Sequence, residues 1–353
     1  MSRLTRTDLS ALPAYVPGAI VPGAIKLASN EVPYGPLPGV VEAVAEAIAG
    51  SHRYPDMGVV ALREAIAARL GVDADRVATG CGSVALTEHL VKATCQEGDE
   101  VMFAWRSFEA YPIITAGAGA RAVPVPNDAG HGHDLDAMAA AVSARTRLIF
   151  VCNPNNPTGT ALTREQLDGF LDKVGPDVLV VLDEAYREFV DDPAVPDGVT
   201  TYGDRPNIAV LRTFSKAWGL AGLRLGYLVA APEVAAAVRK VTTPFSSSGV
   251  AQAAGLAALA ADDEMRRRVA LVVAERARVA EALGKLLPDG VAVPPSQANF
   301  VWLPLGEQTA AFARACAEAG VIVRAFHPEG VRVTIGTPEE NDTFLAAARS
   351  ALA

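Results

Sequence analysis

The chain has 353 residues, half of them hydrophobic and 20% charged, and its formal net charge at pH 7 is −9. This composition excludes disordered and low-complexity chains, and the length predicts about two domains with a sizeable core. The negative charge argues against nucleic acid and anionic membrane surfaces as partners. A bound anion must therefore be held by a few hydrogen-bond donors that the fold positions, and not by an overall positive charge.

The cysteines and the start of the chain indicate the compartment. The start of the chain lacks an apolar signal-peptide core, and no apolar run is long enough for a bilayer span. The cysteines show no CxxC spacing, which predicts ordinary buried thiols in a reducing compartment. We therefore expect a cytoplasmic protein without disulfides. The cysteines are Cys81, Cys95, Cys152 and Cys316.

In chain order, the predicted elements begin with an irregular arm, because the first thirty residues are rich in proline and glycine. Amphipathic patterns then predict helices at residues 40–49 and 59–70. Further along, short apolar runs alternate with helical patterns, one of which carries a capping box of Thr163 and Gln166. Such runs predict strands buried on both faces of a mainly parallel sheet. They are residues 100–103, 147–151, 178–182, 208–211 and 225–229.

The C-terminal part has a different composition. Beyond residue 244 it is rich in alanine, and a long helical pattern covers residues 265–283. Two later apolar runs, residues 300–303 and 331–335, predict strands of a second sheet. The sequence thus predicts a large α/β domain with a smaller α+β domain. The arm of residues 1–29 belongs to the small domain, the large domain covers residues 30–245, and the small domain covers residues 246–353.

Polar side chains follow three successive apolar runs, at the points where the predicted strands end. In a doubly wound sheet, ligands bind beyond the carboxyl ends of the strands, so these groups should converge on one crevice. Each alone is explained by a turn, a helix cap or a solvated lysine. Together they predict a site, because independent turns and caps need not combine an amine, an acid and an amide. They are Asn156, Asp183, Tyr186, Thr213, Ser215, Lys216 and Arg224.

A lysine at a dry sheet edge is suited to form a Schiff base with an aldehyde. Pyridoxal phosphate binds in this way, and it also needs a carboxylate opposite its pyridinium nitrogen. Lys216 and Asp183 match these two requirements, and Asn156 and Tyr186 are suited to donate to the phenolate oxygen of the ring. The phosphate needs further donors, which we expect from Thr213, Ser215, Arg224 and the start of a helix at residues 80–83.

Two other patterns point to different ligands. Residues 80–85, GCGSVA, form a loose dinucleotide fingerprint with Glu100 twenty residues downstream of its first glycine, so a nicotinamide dehydrogenase is the alternative enzyme class. Both interpretations place a phosphate at this helix start, and only the set around Lys216 separates them. His131 and His133 lie in a segment of glycines and aspartates, which predicts a solvated loop and no metal site.

Seven segments together carry a resemblance to a known family. They are KLASNEVPYGP, RYPD, NPNNPTG, VLDEAY, TFSKAWGLAGLRLGY, QANFVWL and VRVTIGT, and they are spread over nearly the whole chain. In them the sequence resembles the class I/II pyridoxal-phosphate aminotransferases of fold type I. The likeness is to the histidinol-phosphate aminotransferase group, and above all to its aromatic amino acid aminotransferase relatives. It implies a large cofactor-binding domain, with a mostly parallel sheet between helices, and a smaller α+β domain.

The resemblance also implies roles for individual residues. Lys216 would bind the cofactor aldehyde covalently, Asp183 would pair with the pyridine nitrogen, and Phe108 would stack on the ring. Asn156 and Tyr186 would contact the phenolate oxygen. The phosphate would be held by Gly82, Ser83, Val84, Thr213, Ser215 and Arg224.

Four more residues are assigned by the same resemblance to the partner subunit and the substrate. Tyr54 would reach the phosphate of the neighbouring subunit, which implies a homodimer with shared active sites. Arg332 would bind an anionic group of the substrate, with Arg324 as a helper and Tyr15 lining the pocket.

The resemblance implies transfer of an amino group to a 2-oxo acid, with Lys216 moving the substrate proton and with ping-pong kinetics. The segments GCGSVAL and AWRSFEAY resemble the aromatic relatives, so we expect phenylalanine, tyrosine or tryptophan as donor and an acceptor such as 2-oxoglutarate. Histidinol phosphate, in histidine biosynthesis, is the second expectation, and decarboxylation of threonine phosphate is a third. A transcription regulator with an aminotransferase-like domain does not fit, because the chain has no room for a helix-turn-helix and no basic face.

Overall fold

The computed structural model describes Leu4, Arg6, Leu12 and residues 14–16, 18–288 and 290–352. The helices are α1 (Val40–Ala49), α2 (Val60–Leu70), α3 (Gly82–Thr94), α4 (Ala110–Gly117), α5 (Leu135–Ala140), α6 (Arg164–Leu171), α7 (Gly198–Tyr202), α8 (Pro232–Val241), α9 (Gly249–Ala260), α10 (Asp262–Gly284), α11 (Thr309–Glu318) and α12 (Pro338–Leu352). The strands are β1 (Ile25–Lys26), β2 (Val77–Cys81), β3 (Glu100–Trp105), β4 (Arg121–Pro126), β5 (Thr146–Cys152), β6 (Leu179–Asp183), β7 (Ile208–Thr213), β8 (Leu225–Val229), β9 (Phe300–Leu303), β10 (Val321–Ile322), β11 (Arg324–Phe326) and β12 (Gly330–Thr334). None of the described helices is both long enough and apolar enough to cross a membrane.

A seven-stranded sheet forms the centre of the molecule, in the order β2-β8-β7-β6-β5-β3-β4. Its neighbouring strands from β4 to β7 pair in parallel, whereas β8 pairs antiparallel with both β7 and β2. Along β5, Ile149 and Val151 belong to one apolar core, while Leu148 and Phe150 belong to the core on the opposite face. This explains why the strands are continuously apolar. The prediction of a mainly parallel sheet is confirmed.

Local sequence signals set several helix ends. α1 begins at Val40 as predicted, and α2 begins at Val60, one residue after the predicted start. At the start of α6, Thr163 and Gln166 form the predicted capping box, in which each side chain accepts a hydrogen bond from the backbone N–H of the other residue. α10 begins at Asp262, three residues before the predicted helix, because acidic residues in its first turn favour the positive end of the helix dipole.

A second sheet lies in the C-terminal part, where β11, β12 and β9 pair antiparallel in that order. It contains both strands that the sequence predicts there. The short strand β1, near the end of the N-terminal arm, pairs in parallel with β10. The backbone of Ile25 and Leu27 donates to the carbonyl oxygens of Gly320 and Ile322 at 2.9 and 2.8 Å. The domain boundaries after residues 29 and 245 stay a prediction.

Two side-chain environments differ from the prediction. Cys81 is exposed, because it lies where β2 passes into α3 at the edge of the sheet, whereas Cys152 and Cys316 are buried and Cys95 is half-buried. His133 is buried and not solvated, because its backbone forms an isolated β-bridge with Asn127 that draws the loop onto the protein. Burial lowers the pKa of His133 to about 4.

Candidate active site

The candidate site is a cavity of about 230 Å³ at the carboxyl ends of β5, β6 and β7. Cys152 lies opposite Asp183 in the sheet, and Asp183 lies opposite Leu211, so the segments that follow these strands leave the sheet at one edge. Of the site residues predicted from the sequence, all but Gly82 and Tyr54 line the cavity. The lining residues in that set are Tyr15, Ser83, Val84, Phe108, Asn156, Asp183, Tyr186, Thr213, Ser215, Lys216, Arg224, Arg324 and Arg332.

The amine of Lys216 lies in this cavity just beyond β7. Its Nζ donates a hydrogen bond to the Ser29 carbonyl oxygen at 3.2 Å, and it lies 5.7 Å from the centre of the Tyr186 ring. Burial, together with the positive charge of Arg332, lowers the pKa of Lys216 to about 7. A large fraction of this amine is therefore unprotonated and nucleophilic near neutral pH.

Asp183, the last residue of β6, presents an unpaired carboxylate oxygen at the cavity. Its Oδ2 accepts a hydrogen bond from the Tyr111 hydroxyl at 2.7 Å, whereas its buried Oδ1 has no partner among the described residues. Burial raises the pKa of Asp183 to about 6. A buried carboxylate oxygen without a partner is costly. A pyridinium N–H would supply the missing donor, so this atom fits pyridoxal phosphate.

The sequence analysis missed Tyr111. Its ring is fully buried and stacks on Phe150, with ring centroids 4.7 Å apart. Its N–H donates to the Phe108 carbonyl oxygen in the turn that leads into α4, and the two rings meet edge to face at 5.4 Å. The spacing of three residues between Phe108 and Tyr111 could have located it, because this spacing places both side chains on one face of a helical turn.

The N-terminus of α3 forms a backbone cradle in which Ser83 and Val84 line the cavity. Gly82 has a φ of +76°, and a Cβ at this position would collide with the Arg224 guanidinium. A Cβ at Gly226 would collide with the Ser83 backbone nitrogen. The two glycines therefore allow β8 and the first turn of α3 to approach closely, which leaves helix N–H groups available to an anion.

Arg224 supplies the positive charge of this cradle. Its Nη1 donates to the Ser215 hydroxyl at 3.1 Å and to the Ala221 carbonyl oxygen at 2.9 Å. The Ser215 N–H in turn donates to the Thr213 hydroxyl at 3.1 Å. A guanidinium, two hydroxyls and a helix N-terminus form a donor set suited to a phosphate.

Arg332, on β12, closes the opposite end of the cavity. Its Nη2 donates to the Ala28 carbonyl oxygen at 2.7 Å, and its Nη1 donates to the Asn156 Oδ1 at 2.5 Å. Its buried Nε has no hydrogen-bond partner in the part of the chain that the structure describes. Burial lowers the pKa of Arg332, but an arginine stays protonated in proteins. Its hydrogen-bond acceptors are neutral, so its charge is left for an anionic ligand.

Asn30 is a second residue that the sequence analysis missed, although it lies in the segment KLASNEVPYGP. Its Nδ2 donates to the Tyr186 hydroxyl at 2.9 Å, and its N–H donates to the Thr334 hydroxyl at 2.9 Å. Asn30 thus links Tyr186 to β12. No local pattern could have indicated this role, because the two partners are 156 and 304 positions away in the chain.

Tyr54 lies outside the cavity of its own chain. Its side chain is 82% exposed, and its ring stacks on Phe245 with the centroids 4.5 Å apart. The predicted contact of Tyr54 with the phosphate of a neighbouring subunit stays a prediction.

The fold and the cavity together define a pyridoxal-phosphate-dependent enzyme. One edge of a mainly parallel sheet carries a nucleophilic lysine, an unpaired carboxylate oxygen and a phosphate cradle. The family model described as aminotransferase class I and II matches residues 22–347. The chain belongs to this family of aminotransferases, and pyridoxal phosphate is its cofactor. The family resemblance is confirmed, and the dehydrogenase alternative is wrong.

Individual relatives agree with this assignment. The chain is 59% identical over 350 residues to an aromatic amino acid aminotransferase of Rhodococcus jostii, covering 99% of this chain and 96% of the relative. It is 58% identical over 344 residues to one of Streptomyces coelicolor, covering 96% and 95%. Among solved structures, the histidinol-phosphate aminotransferase of Sinorhizobium meliloti in complex with pyridoxal-5'-phosphate is 28% identical, with a TM-score of 0.88 and coverage of 100% and 98%.

Proposed function

We propose that this enzyme moves the amino group of phenylalanine, tyrosine or tryptophan to a 2-oxo acid such as 2-oxoglutarate. The observation that carries the proposal is the single cavity shared by the amine of Lys216, the unpaired oxygen of Asp183 and the guanidinium of Arg332. The donor class is supported by relatives that are 58 and 59% identical and are named aromatic amino acid aminotransferases.

Pyridoxal phosphate, when bound, supplies an electron sink that stabilises negative charge at the substrate Cα. In the proposed arrangement, Lys216 attaches the cofactor, Asp183 holds a proton at the ring nitrogen and Phe108 packs against the ring. The phosphate is bound by Gly82, Ser83, Val84, Thr213, Ser215 and Arg224.

Hydrogen bonds within the protein orient the two donors for the phenolate oxygen. The amide oxygen of Asn156 accepts from Arg332, which leaves the Asn156 NH₂ group as the donor. The hydroxyl oxygen of Tyr186 accepts from Asn30, so the hydroxyl proton of Tyr186 is free to be donated. Burial raises the pKa of Tyr186, which keeps that proton in place.

Lys216 is the proposed proton carrier. With a pKa near 7 its amine is unprotonated often enough to accept the Cα proton at neutral pH, and its conjugate acid is strong enough to return it. Arg332 binds the α-carboxylate of the substrate through a charge-assisted fork, and this contact fixes the orientation of the Cα proton toward Lys216.

We further propose that the donor leaves as a 2-oxo acid before the acceptor binds, which gives ping-pong kinetics. The proposed assembly is a cytoplasmic homodimer, in which the exposed Tyr54 contacts the cofactor phosphate of the other subunit. The position of the Tyr54–Phe245 stack supports this homodimer, because the stack lies outside the cavity of its own chain.

The deciding experiment compares kcat/KM for phenylalanine and for histidinol phosphate, each with 2-oxoglutarate. We expect phenylalanine to be preferred. Histidinol phosphate is the second candidate, because Arg332 can bind a phosphate as well as a carboxylate, and a solved structural neighbour carries that activity in its name. A preference for the phosphate ester of about tenfold, equal to roughly 1.4 kcal/mol in transition-state binding, rejects the aromatic donor.

A further inference from the structure

A second cavity, of about 410 Å³, lies beside β2, which is an edge strand of the seven-stranded sheet. Its walls come from the start of α2, the end of α8 and the segment that follows α8. In the described part of the chain it shares no lining residue with the active-site cavity. The chemistry proposed above for the active site therefore leaves this second cavity without a role.

Two arginines converge in the wall of this cavity. Arg63 donates from Nε to the Val77 carbonyl oxygen at 2.9 Å, and Arg239 donates from Nη1 to the same oxygen at 2.9 Å. Their other hydrogen bonds also go to backbone carbonyl oxygens, which are neutral. Burial and the positive charge of Arg63 lower the pKa of Arg239, whereas the charge of Asp75 opposes this shift. Two guanidinium groups are thus held close together, and an anion between them would relieve their repulsion.

The balance of charge around the cavity is positive. Arg63, Arg239 and the exposed Lys240 line it, and Asp56 is the one carboxylate in its lining. Asp56 accepts hydrogen bonds from the N–H groups of Val60 and Gly58, at 2.7 and 2.8 Å. These bonds, and more weakly the charge of Arg63, lower the pKa of Asp56. The cavity therefore has a formal surplus of about two positive charges, in a chain whose net charge is −9.

Two nearly buried hydroxyl groups in the lining have no partner. Thr79 is 7% exposed and Ser247 is 5% exposed, and both line the cavity. Within the described residues neither hydroxyl forms a hydrogen bond, and neither oxygen is sealed off from the cavity. A polar group in such a position is normally paired. These hydroxyls are therefore available as donors to a ligand that the cations attract.

Backbone strain marks the same cavity. Val59 and Phe245, which lie on opposite walls, have φ angles of +49° and +58°. Left-handed backbone is unfavourable for a β-branched or a bulky side chain, and residues held in this way cluster at ligand-binding sites. The strain agrees with a cavity whose shape is kept for a ligand.

We propose that this cavity is a second anion site of the enzyme, which binds a phosphate group between Arg63, Arg239 and Lys240. A phosphate carries a charge of about −1.5 to −2 at neutral pH, which matches the surplus of positive charge, and its oxygens can accept from guanidinium and hydroxyl donors together. Free phosphate and a phosphate monoester present the same kind of oxygens, and the cavity has room for either.

The test titrates the holoenzyme with inorganic phosphate by calorimetry, at constant ionic strength. The cofactor occupies its own phosphate cradle there, so this cradle does not bind the added phosphate. We expect a Kd of about 1 mM or tighter. Arg239→Gln should weaken binding about tenfold, because it removes a charged donor. Lys240→Gln should weaken binding about threefold, and it leaves the fold intact because Lys240 is exposed and forms no hydrogen bond with the described residues.

Arg76→Gln is the matched control. Arg76 is also half-buried and also donates to backbone carbonyl oxygens, those of Ala230 and Gly203, but it does not line the cavity. Its loss should change the phosphate affinity by no more than about twofold. Arg332→Gln, in the active-site cavity, should likewise leave this binding within about twofold. Glycerol 3-phosphate is titrated in parallel, and tighter binding of the ester than of phosphate identifies a phosphorylated metabolite as the ligand.

Absence of binding up to about 10 mM phosphate overturns the proposal. Binding that Arg332→Gln removes, and that Arg239→Gln and Lys240→Gln leave unchanged, places the phosphate in the active-site cavity and also overturns it. An equal loss in Arg76→Gln and Arg239→Gln does the same, because it shows an effect on the fold alone. None of these results bears on the amino donor, which is tested by the comparison of phenylalanine with histidinol phosphate.

Discussion

The two ends of the cavity are built in different ways. The cofactor end consists of residues at or just beyond the ends of β3, β5, β6 and β7, of Arg224 directly before β8, and of residues that begin α3, so the seven-stranded sheet and its first helix position them. The substrate end combines Tyr15 of the arm, Glu109 of the turn before α4, and Arg324 and Arg332 of the second sheet. One sheet therefore positions the residues proposed for the cofactor, whereas the residues proposed for the substrate come from segments that only the tertiary fold brings together.

The largest effect is expected from Lys216→Ala at the cofactor end. Without this amine, turnover should fall by at least about 10⁴-fold, because both cofactor attachment and proton transfer are lost. Borohydride reduction followed by mass spectrometry should show no cofactor bound to the chain. Lys173→Ala is the control, since that lysine is exposed and paired with Asp136. A reduced cofactor adduct in Lys216→Ala would place the attachment at another residue.

Arg332→Gln should affect the substrate end of the cavity far more than the cofactor end. Loss of the guanidinium should raise the KM for phenylalanine by about 10²-fold, because a buried charge partner of the α-carboxylate is removed. The affinity for the cofactor should change much less than the KM for phenylalanine, because Arg332 reaches the cofactor end only through its hydrogen bond to Asn156 and its charge near Lys216. Arg332→Lys keeps the charge but loses the fork, so an intermediate KM is expected. If cofactor affinity falls as far as substrate affinity, the two ends are not independent.

Tyr111→Phe tests the hydrogen bond that the Tyr111 hydroxyl donates to Asp183 at the cofactor end. This change removes the hydrogen bond to Asp183 with little change in volume, and it should weaken cofactor binding and lower kcat by roughly 10- to 30-fold. Equilibrium dialysis of the cofactor and steady-state kinetics measure the two effects. Tyr227→Phe is the comparison, because Tyr227 is equally buried on β8 but does not line the cavity. Equal effects in the two variants would reduce Tyr111 to a packing role.

The smallest effect is a dependence of cofactor uptake on pH. The lowered pKa of Lys216, about 7, means that the amine becomes unprotonated as the pH rises through 7. Uptake of pyridoxal phosphate by the cofactor-free protein should therefore accelerate about tenfold between pH 6 and 8, as followed by stopped-flow absorbance. Arg332→Gln should move the midpoint upward, because the charge of Arg332 helps to lower this pKa. A midpoint near 10 in the unchanged protein would contradict the buried environment of the amine.

Much of the cofactor end could be predicted from the sequence, because most of its side chains follow an apolar run by a few positions. Asp183 ends β6, and Lys216 follows β7 by three positions. Tyr111 was missed because its partner Asp183 is 72 positions away in the chain, and only the three-residue spacing from Phe108 pointed to it. The predictions of a buried Cys81 and a solvated His133 were wrong, because the exposure of these two side chains does not follow from residue type or from the local pattern.

Residue patterns along the chain were sufficient to predict the alternation of strands and helices, the sheet edge at which their polar ends meet, and the pairing of a lysine with an aspartate in one site. These features depend on short-range periodicity and on the fixed direction of parallel strands. The folded chain was needed to show that Asn30 donates to Tyr186, that Asp183 keeps an unpaired oxygen and that Arg332 donates to Asn156. These contacts join distant segments, and burial and charge at each atom depend on every neighbour that folding brings to it.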